Sequence, residues 1–481
     1  MTANIPQFTQ GESILVIGLG RSGIASTQVL RERGATVYAT DEKTREELSD
    51  AIAQIEALGA QFVAPAESSK YLDGLTASVL SPGVPLNGAL VRRVQDANVP
   101  VFSEIEVAYR LCKAPIVAVT GTKGKSTTTS LIGHLFRACP SSGSGQAQTV
   151  HVGGNIGNPL IREVLGAKPQ DWVIAEVSSF QLESIRSFRP RIAVILNISA
   201  DHLDRYYSMD EYAEAKYRIF ANQNEHDYFV GNLDDERVRQ LHWHTGETRV
   251  HARQLWFTLE GHHEHATMYL RGDSIMYTPV HGDPRAVEVL RVDEIPLAGR
   301  HNVQNVMAAL LAALAADLDR EALRDAVKSF SAMAHRLQPV ADMAGVLFVD
   351  DSKATNPGSV IAALEAYGRP IVLIAGGKSK NTDFTELGRA IDARTKALIV
   401  IGEAAGDIAA HVSRTPVERA ESMQDAVHRA RALAQPGDVV LLSPACASFD
   451  MFRSAEDRGE KFTAAVHALS DSSLDKLGTS A

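Results

Sequence analysis

Apolar residues in this chain fall into short, nearly unbroken runs separated by amphipathic stretches and glycine-rich turns. Runs at 77–80, 99–102, 116–120, 172–175 and 192–196, and again at 346–349, 371–375, 397–401 and 439–442, predict strands covered on both faces, since a half-exposed strand would alternate apolar with polar. Residues 12–42 read as a strand, a tight turn, a helix closed by Gly34 and a second strand ending at Asp41. Helical spacing recurs after 130 (LIGHLF), at 209–220 (MDEYAEAKYRIF) and along the Ala/Leu-rich 299–318. Strand and helix in alternation predict an α/β chain. Between 231 and 292 the signal is poor, and TMYLRG and SIMYTP predict a small antiparallel excursion. The pattern restarts near 332, giving three α/β units: 1–110, 111–332 and 333–481.

Within 209–220 the inward stripe falls at Met209, Tyr212, Ala213, Lys216, Ile219 and Phe220, so a lysine takes a core-facing position. Desolvation lowers such a lysine's pKa, and a neutral amine is open to carbamylation by CO₂, which converts it to a carboxylate-like metal ligand. Snorkelling or an ion pair is the ordinary alternative.

Composition narrows the partners. The 481 residues are 45% hydrophobic, enough for sizeable cores. A net charge of −10 without a basic run leaves no electrostatic footprint for nucleic acid, so small molecules are the expected partners. Cys112, Cys139 and Cys446 are odd in number and far apart, which makes no disulfide framework and suits the cytoplasm. The first residues lack a basic segment followed by an apolar one, and the longest apolar stretch, 306–316, is too short to span a bilayer.

The chemistry concentrates in IVAVTGTKGKSTTTS at 116–130. A buried strand, a glycine-bracketed loop and a helix start bring backbone N–H groups and positive potential to a polyphosphate; Lys125 reaches terminal phosphates and Ser126 suits Mg²⁺. Val119 stands where the strict G-x-x-x-x-G-K-[ST] pattern has its first glycine, so the loop is a tighter variant. In the first unit Gly18-x-Gly20-x-x-Gly23 followed by Asp41 is a dinucleotide-type fingerprint, which does not by itself separate NAD from another nucleotide diphosphate. Strand ends of a parallel sheet converge, so Lys125, Ser126, Glu176 and His202 are expected at one address. GGNIGNP at 153–159 presents Asn155, and Asn302 and Asn305 share a helix face suited to an adenine edge or to capping. The SSGSGQAQ segment (141–148) and the histidines of HWH (242–244) and GHHEH (261–265) read as solvated loops. Polar strand ends crowd the third unit around His335-Arg336, 351–356, 376–380 and 443–448, suited to a carboxylate or phosphoryl group.

Together GTKGKST (121–127), GGNIG (153–157), EVSSFQLE (176–183), DHLDRY (201–206), HNVQN (301–305), HR (335–336), DDSKATNPGS (350–359), GGKSKNTDF (376–384) and SPACASFD (443–450) closely resemble the Mur ligase family, in its glutamate-adding branch. The resemblance implies a Rossmann-like first domain, a central P-loop ATPase-like parallel sheet and a Rossmann-like third domain closing on the second. It implies ATP-dependent ligation of D-glutamate to UDP-N-acetylmuramoyl-L-alanine through an acyl phosphate in a cytoplasmic monomer. Ligation of L-glutamate, or precursor sensing without catalysis, are the alternatives. Carried over by position, Arg21, Ser22, Asp41 and Gly83 surround the uridine diphosphate, and Asn155, Ser178 and Gln181 the muramoyl-alanine. Gly121, Thr122, Lys123, Gly124, Lys125, Ser126, Thr127, Asn302, Asn305, Arg336 and Asp351 serve ATP. Ser126, Glu176, His202 and carbamylated Lys216 hold Mg²⁺, and Lys353, Thr355, Lys380 and Ser448 receive glutamate. The chain departs from the family pattern in its basic 376–380 loop and in Ala455, where an aromatic is common.

Overall fold

The computed structural model describes residues 6–141, 148–201, 205–245, 249–261, 263–279, 285–331, 334–379 and 382–475. The predicted loop 142–147, His202 and Lys380 therefore lie outside the described residues, as does His262 of the second histidine cluster. The chain forms two compact units, residues 1–294 with 304–329, and residues 295–303 with 330–481.

The first unit contains two sheets. In the N-terminal one, β1 (Ser13–Ile17), β2 (Thr36–Thr40), β3 (Gln61–Phe62), β4 (Ala77–Leu80) and β5 (Val101–Ser103) lie in the order β3-β2-β1-β4-β5, all parallel. The second sheet has nine strands: β6 (Ile116–Thr120), β7 (Val150–Gly154), β8 (Trp172–Glu176), β9 (Ile192–Ile195), β10 (Tyr228–Asn232), β11 (Arg253–Thr258), β12 (Met268–Arg271), β13 (Ser274–Tyr277) and β14 (Val287–Arg291). Their order is β14-β13-β12-β11-β10-β9-β6-β8-β7. The apolar runs are almost wholly buried, as their lack of alternation requires: every residue of β6 is covered, and only Pro100, Trp172 and Leu347 among the runs are half-buried. The small antiparallel excursion predicted at TMYLRG and SIMYTP is present: β12 pairs antiparallel with β13, and β13 with β14, while β11 runs parallel to both β10 and β12.

Two carboxylates on the helix Glu104–Leu111 join the two sheets of this unit. Glu106 accepts the backbone N–H groups of Arg186, Ser187 and Phe188 and the Arg110 guanidinium; burial opposes its ionisation, but these donors outweigh it and the pKa falls. Glu104 accepts the Ile161 N–H at 2.7 Å, and burial pushes its pKa up to about 7.

The second unit carries one sheet of β15 (Gln338–Met343), β16 (Val346–Asp350), β17 (Ile371–Gly376), β18 (Thr395–Ile401), β19 (Val417–Arg419) and β20 (Val439–Ala445). The order is β15-β16-β20-β17-β18-β19, parallel except at β15–β16. Its core lies between both sheet faces and the flanking helices, the long helix Ala455–Asp475 among them. Among the described residues no helix is long and apolar enough to cross a membrane.

Candidate active site

The site in the first unit begins where β6 ends. Because β6 lies between β8 and β9, with Val119 paired to Glu176 and Thr120 to Ile195, the loop after Thr120, the Glu176 carboxylate and the 197–199 segment open at one sheet edge. Gly124 adopts φ +83°, and a Cβ there would overlap the Asn305 side chain, so glycine is required and the loop is held against the helix Arg300–Ala315. Asn197 fixes the loop from the other side: its carbonyl accepts the Thr122 N–H at 2.9 Å and its side-chain oxygen the Lys123 N–H at 2.8 Å. Lys125, first residue of the helix Lys125–Ala138, donates to the carbonyls of Gly121 and Thr122, both at 2.9 Å. Ser126 and Thr127 follow it in the first turn, half-buried, where helix N–H groups face the loop.

Lys216 reaches the same loop. Its helix, Met209–Tyr217, continues as a tighter turn to Phe220, and the predicted inward stripe is buried from Tyr212 on, with Met209 half-buried and Lys216 only 1% exposed. Nζ donates to the Gly121 carbonyl at 3.0 Å and lies 4.5 Å from the Tyr212 ring centre. Burial, and then the charge of Lys125, hold this amine's pKa well below the usual lysine value, against a smaller pull from Asp201. Tyr212, which the sequence pattern marks only as core, links its hydroxyl to Thr122 Oγ1 at 3.3 Å.

Glu176, at the C-terminus of β8, is buried. One carboxylate oxygen accepts the Asn155 amide at 2.9 Å, and Oε2 has no hydrogen-bond partner among the described residues. A buried carboxylate oxygen left without a donor suits a hard divalent cation, and the Ser126 hydroxyl, at the start of the helix that follows the neighbouring strand, is a second oxygen of the kind Mg²⁺ takes. His202 lies outside the described residues, and among those described no group of three or more His, Cys, Asp or Glu forms a ready-made metal cluster. Ser178 and Gln181 form a reciprocal capping box on the helix Ser179–Leu182, so both are engaged in local structure.

The glycine turn after β1 is tied to β2 by Asp41, which accepts the N–H groups of Leu19 at 2.7 Å and Lys43 at 3.0 Å. Arg21, at the start of the helix Arg21–Glu32, reaches the Gly157 carbonyl at 3.4 Å, bringing the turn to the GGNIG loop. Ser22 lies beside it, half-buried, and Gly83 is exposed with open space around its α-carbon.

In the second unit the Asn302 side-chain amide donates to the Ala298 carbonyl at 2.6 Å. His335 meets Asp350 at 2.7 Å, and Arg336 follows it. Asp351 accepts the Ser443 hydroxyl at 2.8 Å and the Leu337 N–H at 3.2 Å; burial pushes its pKa up to about 7 despite these donors. Lys353 pairs with Glu456, Thr355 is exposed and Ser448 is buried. The histidines of the first unit are less solvated than expected: His242 and His265 pack with ring centres 4.3 Å apart, and His242 also lies against Trp256.

The residue pattern did not single out Glu104 or the Tyr212 hydroxyl. The signal for Glu104 is faint: two acids inside the largely apolar SEIEVAYRL.

Comparison with known proteins accords with this arrangement. Residues 12–103 match the Mur ligase MurD-like N-terminal domain, 119–313 the Mur ligase middle domain and 335–446 the Mur ligase glutamate ligase domain. The chain is 41% identical to the UDP-N-acetylmuramoylalanine--D-glutamate ligase of Pelotomaculum thermopropionicum, over 97% of this chain and 99% of that protein. It is 40% identical to the protein of the same name from Koribacter versatilis, over 96% and 98%. The fold is shared with UDP-N-acetylmuramate-alanine ligase MurC of Thermotoga maritima, at TM-score 0.57 and 18% identity, covering 95% of this chain and 99% of that one. It is shared also with MurF of Acinetobacter baumannii, at TM-score 0.59 and 19% identity, covering 90% and 91%. With three matched domains along its length and relatives this similar over nearly all of it, the chain belongs to the Mur ligase family.

Proposed function

We propose that this chain joins D-glutamate to UDP-N-acetylmuramoyl-L-alanine at the expense of ATP, releasing ADP and phosphate, in the synthesis of peptidoglycan precursors. The observation that carries the reading is the meeting at Gly121 of a phosphate loop and a buried, pKa-depressed lysine, beside a carboxylate with one oxygen unpartnered.

A carboxylate is a poor acylating agent, so the substrate's alanyl carboxylate first attacks the γ-phosphorus of ATP and ADP departs. The glutamate amine then adds to the acyl phosphate carbonyl, loses a proton, and expels phosphate. Residues 121–127 cradle the polyphosphate through backbone N–H groups, and Lys125 neutralises charge on the transferring group. Asn302, Asn305, Arg336 and Asp351 serve the rest of ATP. Ser126, Glu176, His202 and Lys216 would hold Mg²⁺, which when bound offsets the phosphoryl charge. In that role the Lys216 amine takes up CO₂, forming an N–C bond and releasing a proton, and presents a carbamate oxygen. Arg21, Ser22, Asp41 and Gly83 orient the uridine diphosphate, and Asn155, Ser178 and Gln181 the muramoyl-alanine end. Lys353, Thr355, Lys380 and Ser448 bind glutamate. On this reading residues 1–110 bind the uridine substrate, 111–332 ATP and 333–481 the amino acid, in a cytoplasmic monomer.

Phosphate release measured with D-glutamate and L-glutamate side by side tests the assignment. Release with D-glutamate alone supports it. Release with L-glutamate alone overturns the amino-acid specificity, and nucleotide binding without release in the presence of all three substrates overturns catalysis.

A further inference from the structure

Arg458 is wholly buried, an expensive place for a guanidinium. Its hydrogen bonds go to neutral oxygens: Nε to Ser352 Oγ at 3.0 Å, Nη2 to the Ser352 carbonyl at 2.8 Å and Nη1 to the Cys446 carbonyl at 3.0 Å. Burial lowers its pKa to about 10, with Cys446, Asp450 and Asp350 opposing, so it remains charged at neutral pH.

The bonded positions lie on two loops, one after β16 and one after β20. A third loop, after β17, closes over the same group: a Cβ at Gly377 would sit 3.1 Å from Arg458 Nη1 and would overlap the Ala447 carbonyl, and that carbonyl accepts the Lys378 N–H at 2.8 Å. The helix that carries Arg458 adds further ties. Ser352 Oγ donates to the Ala455 carbonyl at 2.6 Å, Glu456 pairs with Lys353, and a Cβ at Gly459 would overlap His335. Hydrophobic packing fixes the strands beneath, but loops need directional contacts. A rigid planar fork with five donors aligns several carbonyls at once in a way a lysine does not.

We propose that Arg458 is a positioning residue for the amino-acid substrate, a buried hub setting the mutual placement of the 351–355, 376–379 and 445–448 loops. The inference rests on the assignment of glutamate to Lys353, Thr355 and Ser448, which the first and last of those loops carry. It accounts for the presence of an arginine where an apolar side chain would fold more cheaply.

The test is steady-state phosphate release by the full-length enzyme with each substrate varied in turn, for Arg458→Lys, Arg458→Ala and Ser352→Ala, alongside thermal melting. Arg458→Lys is expected to raise KM for glutamate about ten- to a hundredfold while KM for the uridine substrate stays within about twofold, because small misplacements far from the chemistry act through orientation. Ser352→Ala, which removes one acceptor and keeps the charge, shifts the same KM in the same direction by less. Guanidinium ion added to Arg458→Ala restores part of the glutamate KM. Equal changes in all three KM values, or a fall in melting temperature with every KM unchanged, overturns the positioning role. If the arginine variants do not fold, an unaltered glutamate KM in Ser352→Ala overturns it. Failure of the wild-type enzyme to release phosphate with D-glutamate strikes instead at the parent assignment.

Discussion

Replacing Lys216 should change the pH dependence of folding in a calculable way. The unfolded chain keeps this amine protonated to about its ordinary value of 10.5, whereas the folded state, which buries it beside Lys125, lets it lose the proton at lower pH. Between those two values the unfolded state binds more protons, so wild-type stability rises with pH through the window, and below it the full penalty applies. One proton contributes at most about 1.4 kcal/mol per pH unit. Lys216→Met has no such group. It should be the more stable protein at neutral pH, and the gap should close by up to about 1.4 kcal/mol per unit as pH rises toward 10. Urea unfolding of both proteins at pH 7, 8 and 9 in CO₂-free buffer measures this, since the other titrating groups are common to the pair and cancel. Parallel stability curves would refute the depressed amine. In the ligase assay Lys216→Ala should lose about 10²- to 10³-fold in turnover, the scale for removing one charge-stabilising group, and a short-chain carboxylate should restore part of it. Wild-type turnover in the unrescued variant would remove the carbamate role.

Three further outcomes are expected. Asp41→Ala frees the Leu19 and Lys43 N–H groups and should raise KM for the uridine substrate while leaving that for ATP, and equal shifts in both count against the assignment. Glu176→Gln should keep its melting temperature yet demand more Mg²⁺ for half-maximal activity, because the unpartnered oxygen is lost as an anion; an unchanged Mg²⁺ titration contradicts this. Glu104, with its pKa raised to about 7 from 4.5, binds more protons folded than unfolded between those values, so wild-type stability should fall across that window by about 3 kcal/mol. Glu104→Gln should lack that decline, and equal slopes in chemical denaturation at pH 5, 6 and 7 would argue against the buried carboxyl.

Much of this protein can be read along its chain because the determining forces are local. Unbroken apolar runs predicted buried strands, and the glycine, lysine and hydroxyl offsets after residue 120 predicted the strand, tight loop and helix start found there. Helical spacing even placed Lys216 on the covered side of its helix, as the structure has it. Periodicity placed the antiparallel pair at 268–277 but said nothing of the 253–258 strand beside it, which runs parallel to both neighbours, a choice made by the connections and the sheet it joins. Nor does it carry the state of a charged group, which depends on what the rest of the chain folds over it. Among the described residues Glu176 has one oxygen left without a donor, Lys216 shares the Gly121 carbonyl with Lys125, and Arg458 is sealed against Ser352, far from it in sequence. Desolvation is a property of three-dimensional surroundings, so only the tertiary structure decides the state of these polar residues.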